Sequence, residues 1–326
     1  MKSVIAYGIL AFFVSLIVAK PIIRYLKTIG LVVKDMNKQN KPLVPISGGL
    51  IVFSGIIVGI FAYIFVQTFI FKGQLYFVEI FAFLTTIFLI TFIGLIDDLL
   101  IKKSKIASAG LKQWQKPLLT LIASIPFVVT NAGVTKMSLP FIGTIDFGLL
   151  YPLVLVPIGV VGASNMVNML AGYNGLEAGL GIIYFGMLGA YAYVHEIYIA
   201  ALICFVLVGS LLAFLIFNFY PAKILPGDSL TYLLGASLAS VAILGNMEKA
   251  ALICAIPFFI EFLLKARSKF KADSYGYFKQ GKIFSKYKKI YSLPHIFART
   301  GKFNEWQIVL FCWLVELVFA SLIWIV

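Results

Sequence analysis

Residues 77–98 read FVEIFAFLTTIFLITFIGLIDD, an apolar run that ends in two adjacent carboxylates. A membrane-spanning helix needs roughly 17–25 mostly apolar residues, and this run has that length. The rest of the chain is similar, since 61% of its 326 residues are hydrophobic and 12% are charged, against about 45–50% and about 25% in soluble domains. Because no single core could bury so much apolar surface, the composition excludes a soluble protein and predicts an all-α polytopic membrane protein.

Ten such runs, separated by charged or Gly- and Pro-rich joints, predict about ten transmembrane helices in one integral membrane domain, residues 1–326. The fourth and fifth runs are short, so their bounds are the least sharply defined. The first run is expected to stay as a span, because it is too long for a signal peptide and lacks a small-residue cleavage site. The predicted spans are residues 3–22, 48–71, 77–96, 117–130, 149–164, 175–194, 197–217, 229–245, 250–264 and 306–326.

The formal net charge is +14, from 27 Lys and Arg against 13 Asp and Glu, which is unusual for so apolar a chain. With ten spans, 23 of the 27 basic residues fall in the connections after the odd-numbered spans, and four fall on the opposite side. Eleven of them lie in the connection between spans nine and ten, residues 265–305. The positive-inside rule therefore predicts that both termini are outside and that the odd-numbered connections are cytoplasmic.

Four polar clusters lie on this predicted cytoplasmic side, where a charged or amide side chain near the bilayer is costly unless it is paired or functional. The first is Asp97-Asp98 at the end of span three, followed by Lys116 just before span four. Adjacent carboxylates at a lipid boundary favour protonation unless a cation compensates them. The doublet therefore indicates either a site for a metal or a phosphate, or a polar pair that only marks the end of a helix.

The second cluster is the stretch 165–177, NMVNMLAGYNGLE, where three Asn and two Gly interrupt two apolar spans. Asn165 and Asn168 are three residues apart and would share one face of a helix. Amide oxygens are ligands for hard cations, and Gly lets a ligand approach the backbone closely. A tight polar turn is the alternative; it explains Asn174-Gly175 well, but it explains Asn165 and Asn168 poorly.

The third cluster is Pro226-Gly227-Asp228-Ser229, which opens span eight. Asp before a helix is commonly only an N-terminal cap. Together with the first two clusters, however, Asp228 supplies a further oxygen ligand on the same side. Three sets of hard oxygen ligands on one membrane face suit Mg²⁺, which typically takes one or two carboxylates plus substrate phosphates.

The fourth cluster is the basic connection 265–305, which also holds four Tyr, and His295 and Arg299 near its end. It is either a surface attracted to anionic lipid, at roughly 1 kcal/mol per Lys or Arg, or a lid over an anionic substrate. Glu261 and Glu316 lie inside predicted spans, where pairing between helices is the expected role.

These motifs resemble those of the polyprenyl-phosphate N-acetylhexosamine-1-phosphate transferases. The resemblance rests on the stretch 165–177, the Asp97-Asp98 doublet, Gly227-Asp228, and ten spans with both ends outside, and it covers nearly the whole chain. Bacterial branches usually carry Asp where this chain has Ala171. The chain is therefore most similar to the dolichyl-phosphate N-acetylglucosamine-1-phosphate transferases of archaea and eukaryotes, and an archaeal source fits.

The resemblance implies an enzyme of the cell membrane whose active site faces the cytoplasm. It would transfer N-acetylglucosamine 1-phosphate, or a related N-acetylhexosamine 1-phosphate, from a UDP-sugar to a polyprenyl or dolichyl phosphate and release UMP. This reaction would be the first membrane step of lipid-linked N-glycan assembly. The implied cofactor is Mg²⁺, with Mn²⁺ as an alternative. A homodimer is what the family suggests, and no nucleic-acid partner is expected.

Carried over residue by residue, the resemblance implies metal, catalytic and substrate-binding groups. Asn168 and Asp228 would hold Mg²⁺ on the diphosphate. The catalytic set would be Asp97 and Asp98, which serve the lipid phosphate, and Lys116, which contacts a phosphate. The substrate-binding set would be Asn165, Gly172, Asn174, Glu177, His295 and Arg299, with Gly172 and Asn174 beside the uracil.

The chain departs from the family pattern in its first and last cytoplasmic connections. The peptidoglycan branch carries consecutive His residues where this chain has only Ser292-Leu-Pro-His295, so a muramyl-pentapeptide donor is disfavoured. In the same connection the eukaryotic enzyme has an Arg-His-Arg run, whereas His295 and Arg299 of this chain are four residues apart. In the first cytoplasmic connection, Ile46 of this chain stands where the eukaryotic enzyme has Glu. The alternative function is a membrane carrier of nucleotide-sugars or lipid phosphates. Carriers place polar groups near the bilayer midplane, whereas this chain gathers them at predicted cytoplasmic ends.

Overall fold

A computed structural model describes residues 4–101, 110–139 and 143–325. Within these ranges the chain is a bundle of α-helices with three two-stranded antiparallel hairpins. Eight helical segments of the described chain are long and apolar enough to cross a membrane. The helical, polytopic character predicted from composition is confirmed, while the number of ten spans and the orientation of the termini stay predictions.

The elements follow one another in a simple order, with each hairpin placed between two helical segments. In chain order they are α1 Val4–Thr28, β1 Val32–Lys34, β2 Leu43–Pro45, α2 Gly49–Phe65 with a π-helical extension Val66–Ile70, α3 Phe77–Leu100, α4 Gln115–Ile122, α5 Ile125–Val129, β3 Lys136–Leu139, β4 Gly143–Asp146, a π-helical turn Tyr151–Leu155 leading into α6 Val156–Met169, α7 Leu176–Val194, α8 Tyr198–Asn218, α9 Asp228–Gly245, α10 Glu248–Cys254, α11 Ile256–Arg267, β5 Tyr277–Lys279, β6 Lys282–Phe284, α12 Leu293–Ala298, and α13 Glu305–Ser321 with a 3₁₀ turn Leu322–Trp324.

Two predicted spans are interrupted in the structure. The predicted span 117–130 is divided into α4 and α5, and the predicted span 250–264 is divided into α10 and α11. In each case a proline, Pro126 or Pro257, is the second residue of the following helix. Proline lacks the N–H that would continue the helical hydrogen bonds and its ring clashes with the preceding turn, so the helix breaks there.

Helix α1 shows how the outer helices divide their surface between protein and lipid. The middle of its buried face consists of small residues, Gly8, Ala11, Ser15 and Ala19. Its exposed face presents large apolar side chains four residues apart, Ile5, Ile9, Phe13 and Ile17. An apolar stripe of this kind is stable only against lipid or another apolar surface, as expected for an outer helix of a membrane bundle.

Helix α9 lies at the centre of the bundle, and nearly all of its residues are buried. Its first turn is in direct contact with α2 and α3, because Gly49 and Gly94 face the backbone of Asp228 and Ser229 there. A Cβ atom at Gly94 would lie 2.5 Å from the carbonyl oxygen of Asp228. The two glycines therefore allow the close approach that fixes the position of Asp228.

The polar clusters found in the sequence meet at one end of the bundle. The carboxyl-terminal ends of α3 and α6 come together there with the amino-terminal ends of α4 and α9, as contacts of Asp228 with Asp98, Asn168 and Lys116 show. As the sequence predicted, these residues share one end of the molecule. The side of the membrane that this end faces stays a prediction.

Candidate active site

A cavity of about 720 Å³ opens at this end of the bundle. Its walls come from α4, α6, α9 and α11, from the turn between α6 and α7, and from residues 34–36 and 270–275. The site residues predicted from the sequence that line it are Lys116, Asn165, Asn168, Gly172, Asn174, Glu177 and Asp228. Asp97, Asp98, His295 and Arg299 do not line the cavity directly.

The ammonium group of Lys116 bridges two carboxylates at the base of the cavity. Its Nζ atom lies 2.8 Å from Asp97 Oδ2 and 2.5 Å from Asp228 Oδ2. The other oxygen of Asp97 accepts a 2.5 Å hydrogen bond from the backbone N–H of Leu111, which ties the segment before α4 to the end of α3. With both acids ionised, these three side chains carry a net charge of −1.

Asp98 lies behind this group and is fully buried. Its Oδ1 accepts a 2.8 Å bond from the backbone N–H of Asp228, and its Oδ2 accepts bonds from Ser47 Oγ at 2.8 Å and the backbone N–H of Ser229 at 3.3 Å. Because both oxygens are engaged by the protein, Asp98 caps the first turn of α9 and orients Asp228. Its predicted contact with a lipid phosphate has no counterpart in this arrangement.

Asn168 and Asp228 lie side by side, with the amide nitrogen of Asn168 turned towards the carboxylate and its oxygen towards Thr231. Asn168 Nδ2 is 3.4 Å from Asp228 Oδ2, and Asn168 Oδ1 accepts a 2.8 Å bond from Thr231 Oγ1. Asn165, one turn earlier on α6, donates to Thr120 Oγ1 at 3.0 Å. The side chain of Asn165 therefore joins α6 to α4, although the residue also lines the cavity.

The turn between α6 and α7 forms another wall, and its shape depends on glycine. Gly172 has φ of +114° and Gly175 has φ of +86°, a region of backbone conformation that glycine adopts without strain. The backbone N–H of Gly172 donates to Glu177 Oε1 at 2.8 Å. Glu177 Oε2 is buried and has no hydrogen-bond partner in the described part of the protein. One oxygen of Glu177 is therefore enclosed without a partner, although the residue itself lines the cavity.

Asn174, predicted to lie beside the uracil, is held by a buried charged network. Its Nδ2 donates to Asp35 Oδ2 at 3.1 Å, its Oδ1 accepts from Lys38 Nζ at 2.9 Å, and its backbone N–H donates to Glu305 Oε1 at 2.8 Å. Lys38 also forms ion pairs with Asp35 and Glu305. Sequence reasoning missed Asp35, Lys38 and Glu305, because single charges in separate connections give no local signal that they meet.

His295 and Arg299 lie outside the cavity, in and after α12. His295 is fully buried, its Nδ1 accepts a 3.3 Å bond from the backbone N–H of Tyr291, and burial lowers its pKa to about 4. Arg299 is exposed. The structure therefore does not place these two residues at the predicted substrate site. Other residues of the basic connection line the cavity instead, namely Lys265, Phe270, Lys271, Ala272, Asp273, Ser274 and Tyr275.

The two acidic residues inside predicted spans have different surroundings. Glu261 of α11 accepts a 2.7 Å hydrogen bond from the backbone N–H of Leu293 and lies 3.8 Å from Lys265 Nζ. It therefore joins α11 to α12, as expected of a residue that pairs helices. Glu316 of α13 is fully buried, and neither of its oxygens has a hydrogen-bond partner among the described residues. Its expected pairing is not seen.

The fold and the site define a polytopic membrane protein with a cavity lined by carboxylates, amides and lysines at one end of its helical bundle. Residues 80–246 match the model of a family described as Glycosyl transferase family 4. The chain belongs to this family. The matched region contains Asp97, Asp98, Lys116, Asn168 and Asp228, and it ends before the basic connection.

Full-length relatives agree with this assignment. Proteins from the archaea Saccharolobus solfataricus and Sulfolobus acidocaldarius are 37% and 36% identical to the chain, over 318 and 321 residues, and each alignment covers 96% of this chain and 93% of the relative. Both bear the provisional name UDP-N-acetylglucosamine–dolichyl-phosphate N-acetylglucosaminephosphotransferase. A phospho-N-acetylmuramoyl-pentapeptide-transferase from Halalkalibacterium halodurans is 31% identical over 324 residues, which cover 96% of this chain and 94% of the relative.

Proposed function

We propose that the protein transfers N-acetylglucosamine 1-phosphate from UDP-N-acetylglucosamine to dolichyl phosphate, or a similar polyprenyl phosphate, and releases UMP. The observation that carries this proposal is the group Asp97, Lys116, Asn168 and Asp228 in a cavity at one end of a membrane bundle. The names of the archaeal relatives, which are similar to this chain over nearly its whole length, support this choice of substrates.

The charge of this group supports the use of a divalent cation. With both acids ionised, two carboxylates around one ammonium leave a net negative charge, which repels a diphosphate unless a cation lies between them. Asp228 offers carboxylate oxygens and Asn168 offers the second lone pair of an amide oxygen that also accepts from Thr231. Hard oxygen atoms of this kind fit Mg²⁺, which takes one or two carboxylates plus substrate phosphates, and Mn²⁺ accepts the same ligands. In the described chain, no group of three or more His, Cys, Asp or Glu side chains is arranged to hold a metal. Substrate oxygens would therefore complete the coordination.

The reaction would be an in-line displacement at phosphorus. An oxygen of the lipid phosphate forms a bond to the β-phosphorus of the UDP-sugar, the bond from that phosphorus to the bridging oxygen breaks, and UMP leaves with the bond's electron pair. When bound, Mg²⁺ would supply charge neutralisation on the departing phosphate. Asp98 keeps Asp228 in place through the backbone of the first turn of α9, and Lys116 keeps the carboxylates of Asp97 and Asp228 together.

The lipid phosphate does not need a protein base for this reaction. A phosphate monoester has a second pKa of about 6 and is mostly dianionic at neutral pH. Asp97 is committed to Lys116 and to the backbone N–H of Leu111. We therefore assign Asp97 to positioning Lys116 and the segment before α4.

Glu177 acts on the cavity wall through the turn, because its Oε1 accepts a bond from the backbone N–H of Gly172, while its direct contact with the substrate stays a prediction that depends on the enclosed Oε2. This second oxygen is a buried acceptor without a partner in the described chain, and leaving such a group unpaired costs about 1–3 kcal/mol. Asn174 acts on the same wall indirectly, because the Asp35, Lys38 and Glu305 network occupies its side chain.

We further infer that the site faces the cytoplasm of the cell membrane. The excess of basic residues in the connections at this end supports that orientation. The product would then serve as the first lipid-linked intermediate of glycan assembly, with N-glycans as the expected destination. A homodimer is the expected assembly.

The test is UMP release by the purified protein with UDP-N-acetylglucosamine, dolichyl phosphate and Mg²⁺. An Asp228→Asn variant should lose about 10²–10³-fold in turnover, the scale seen when a group that stabilises a transition state is removed. Asp146→Asn is the matched control, since Asp146 is an exposed carboxylate on hairpin β3–β4. Absence of UMP release with a range of UDP-sugars and polyprenyl phosphates would refute the proposal. Uptake of labelled UDP-sugar into vesicles that contain the protein, without release of UMP, would support the alternative function as a membrane carrier.

A further inference from the structure

We propose that Lys265 binds a phosphate group of one of the substrates in the cavity. This proposal rests on the proposed function and adds a residue outside the region 80–246 that matches the family. Lys265 belongs to the last turn of α11, where the basic connection begins. Its role was not predicted from the sequence, in which it is one of eleven basic residues between 265 and 302.

The side chain of Lys265 is buried, yet it forms part of the cavity wall. Its Nζ atom donates a 2.7 Å hydrogen bond to the backbone carbonyl of Ala272. The backbone carbonyl of Lys265 in turn accepts bonds from the N–H groups of Ser268 and Phe270. The chain therefore wraps around the end of α11 and fixes the ammonium group at the cavity wall.

This ammonium group is incompletely bonded. A lysine has three N–H donors, and the described residues supply one hydrogen-bond acceptor, Ala272. Glu261 Oε1 lies 3.8 Å from Nζ, beyond hydrogen-bond distance, and it has no hydrogen-bond partner in the described chain. A buried charge without full pairing is costly. An anionic oxygen in the cavity would complete the bonding of Lys265.

Lys265 differs in this respect from Lys116. The charge of Lys116 is already offset by Asp97 and Asp228 at 2.8 and 2.5 Å. Lys265 has a single carboxylate at 3.8 Å, and the nearby Asp273 is paired with Lys286 at 3.0 Å. The charge of Lys265 is therefore offset less completely by neighbouring carboxylates than that of Lys116, and of the two Lys265 is the lysine left with bonding capacity for a phosphate in the cavity.

Glu261 is the positioning residue for this contact. Its Oε2 accepts the 2.7 Å bond from the backbone N–H of Leu293 at the start of α12, which fixes the carboxylate from the side away from Lys265. The basic connection thus contributes to the site through Lys265, while His295 is packed behind the cavity wall.

The experiment compares binding of ligands with and without phosphate to the full-length protein in detergent. The variants are Lys265→Met, Lys265→Arg and a control, Lys269→Met, whose exposed side chain lies four residues away and does not line the cavity. One arm uses UDP against uridine, and the other uses dolichyl phosphate against dolichol. We expect Lys265→Met to weaken the binding of either UDP or dolichyl phosphate at least tenfold, which corresponds to about 1.4 kcal/mol of binding free energy. Its affinity for the matching ligand without phosphate should not change, and Lys265→Arg should retain most of the phosphate affinity.

The arm that responds identifies the phosphate. Affinities for both UDP and dolichyl phosphate within about twofold of wild type would overturn the proposal, and so would an equal loss for UDP and uridine, which indicates a merely structural role. If Lys265→Met does not fold because Glu261 loses its counterion, the double variant Lys265→Met/Glu261→Gln serves the same comparison. A wild-type protein that binds UDP through Lys265 but releases no UMP would refute the proposed function and leave this inference standing.

Discussion

Gly227 offers the sharpest test of how Asp228 is positioned. Its backbone has φ of +70° and ψ of 171°, a combination that is essentially restricted to glycine, and a residue with a Cβ atom costs about 1–3 kcal/mol there. A Cβ atom at this position would also lie 2.7 Å from Asp98 Oδ1 and closer still to Oδ2. Overpacking of this kind costs about 1–3 kcal/mol more. We therefore expect Gly227→Ala to destabilise the native arrangement by about 2–6 kcal/mol in total.

The protein can relieve this strain only by moving Gly227 or Asp98, and either shift displaces Asp228, whose backbone N–H is bonded to Asp98. Since a misplacement of about 1 Å can cost about 10²-fold in rate, UMP release should fall by about that factor. The assays are UMP release and the midpoint of thermal unfolding in detergent. Gly186→Ala is the control, because Gly186 lies within α7 and a Cβ atom there meets nothing within 4 Å. A Gly227→Ala protein with the activity and stability of Gly186→Ala would refute the reasoning.

Three further predictions concern the charged network, the metal and pH. Lys38→Met should destabilise the protein by about 3–5 kcal/mol, because it leaves the buried Glu305 without its counterion. The control Lys41→Met changes an exposed lysine and should not, so equal thermal unfolding midpoints for the two variants would contradict the prediction. Mn²⁺ binding, measured by electron paramagnetic resonance, should be weak without nucleotide, stronger with UDP, and weaker in Asp228→Asn than in wild type. A Mn²⁺ affinity that does not depend on UDP would contradict coordination of the metal by both protein and substrate. Burial lowers the pKa of His295 from 6.5 to about 4. Between pH 6.5 and pH 4 the unfolded state therefore takes up a proton at this residue while the folded state does not, so the protein loses stability as the pH falls through this range. Unfolding midpoints of wild type should therefore decline over this range relative to His295→Gln, and parallel curves would show that His295 does not titrate in this way.

The membrane character and most of the helices could be predicted from the sequence. Apolar runs of spanning length are a local property of the chain, and eight of the ten predicted runs are full-length helices in the described structure. The two exceptions, 117–130 and 250–264, contain prolines whose effect on helix continuity overrides the apolar composition. The breaks could have been predicted from Pro126 and Pro257, but composition alone favours unbroken spans.

The centre of the candidate site was also predictable, and its surroundings were not. Asp97, Asn168 and Asp228 stand out in the sequence because carboxylates and amides are costly at the ends of membrane helices. The role of Asp98 depends on its distance to the first turn of α9, 130 residues away in the chain. The sequence places Asp97 and Asp98 together as a doublet, whereas the fold turns one towards Lys116 and the other towards Ser47.

By itself the sequence determined that the chain lies in a membrane, where most of its helices run, and which acidic and amide residues gather at one end, because these properties depend on composition and local spacing. Only the tertiary structure decided which charges are paired. Lys38 meets Glu305 across 267 residues of sequence, Lys265 is buried with an incompletely bonded ammonium group, and His295 is enclosed behind the cavity. The physical reason is that the energy of a charge depends on its solvent exposure and its nearest partners, and in a packed bundle both are set by helices that are distant in the chain.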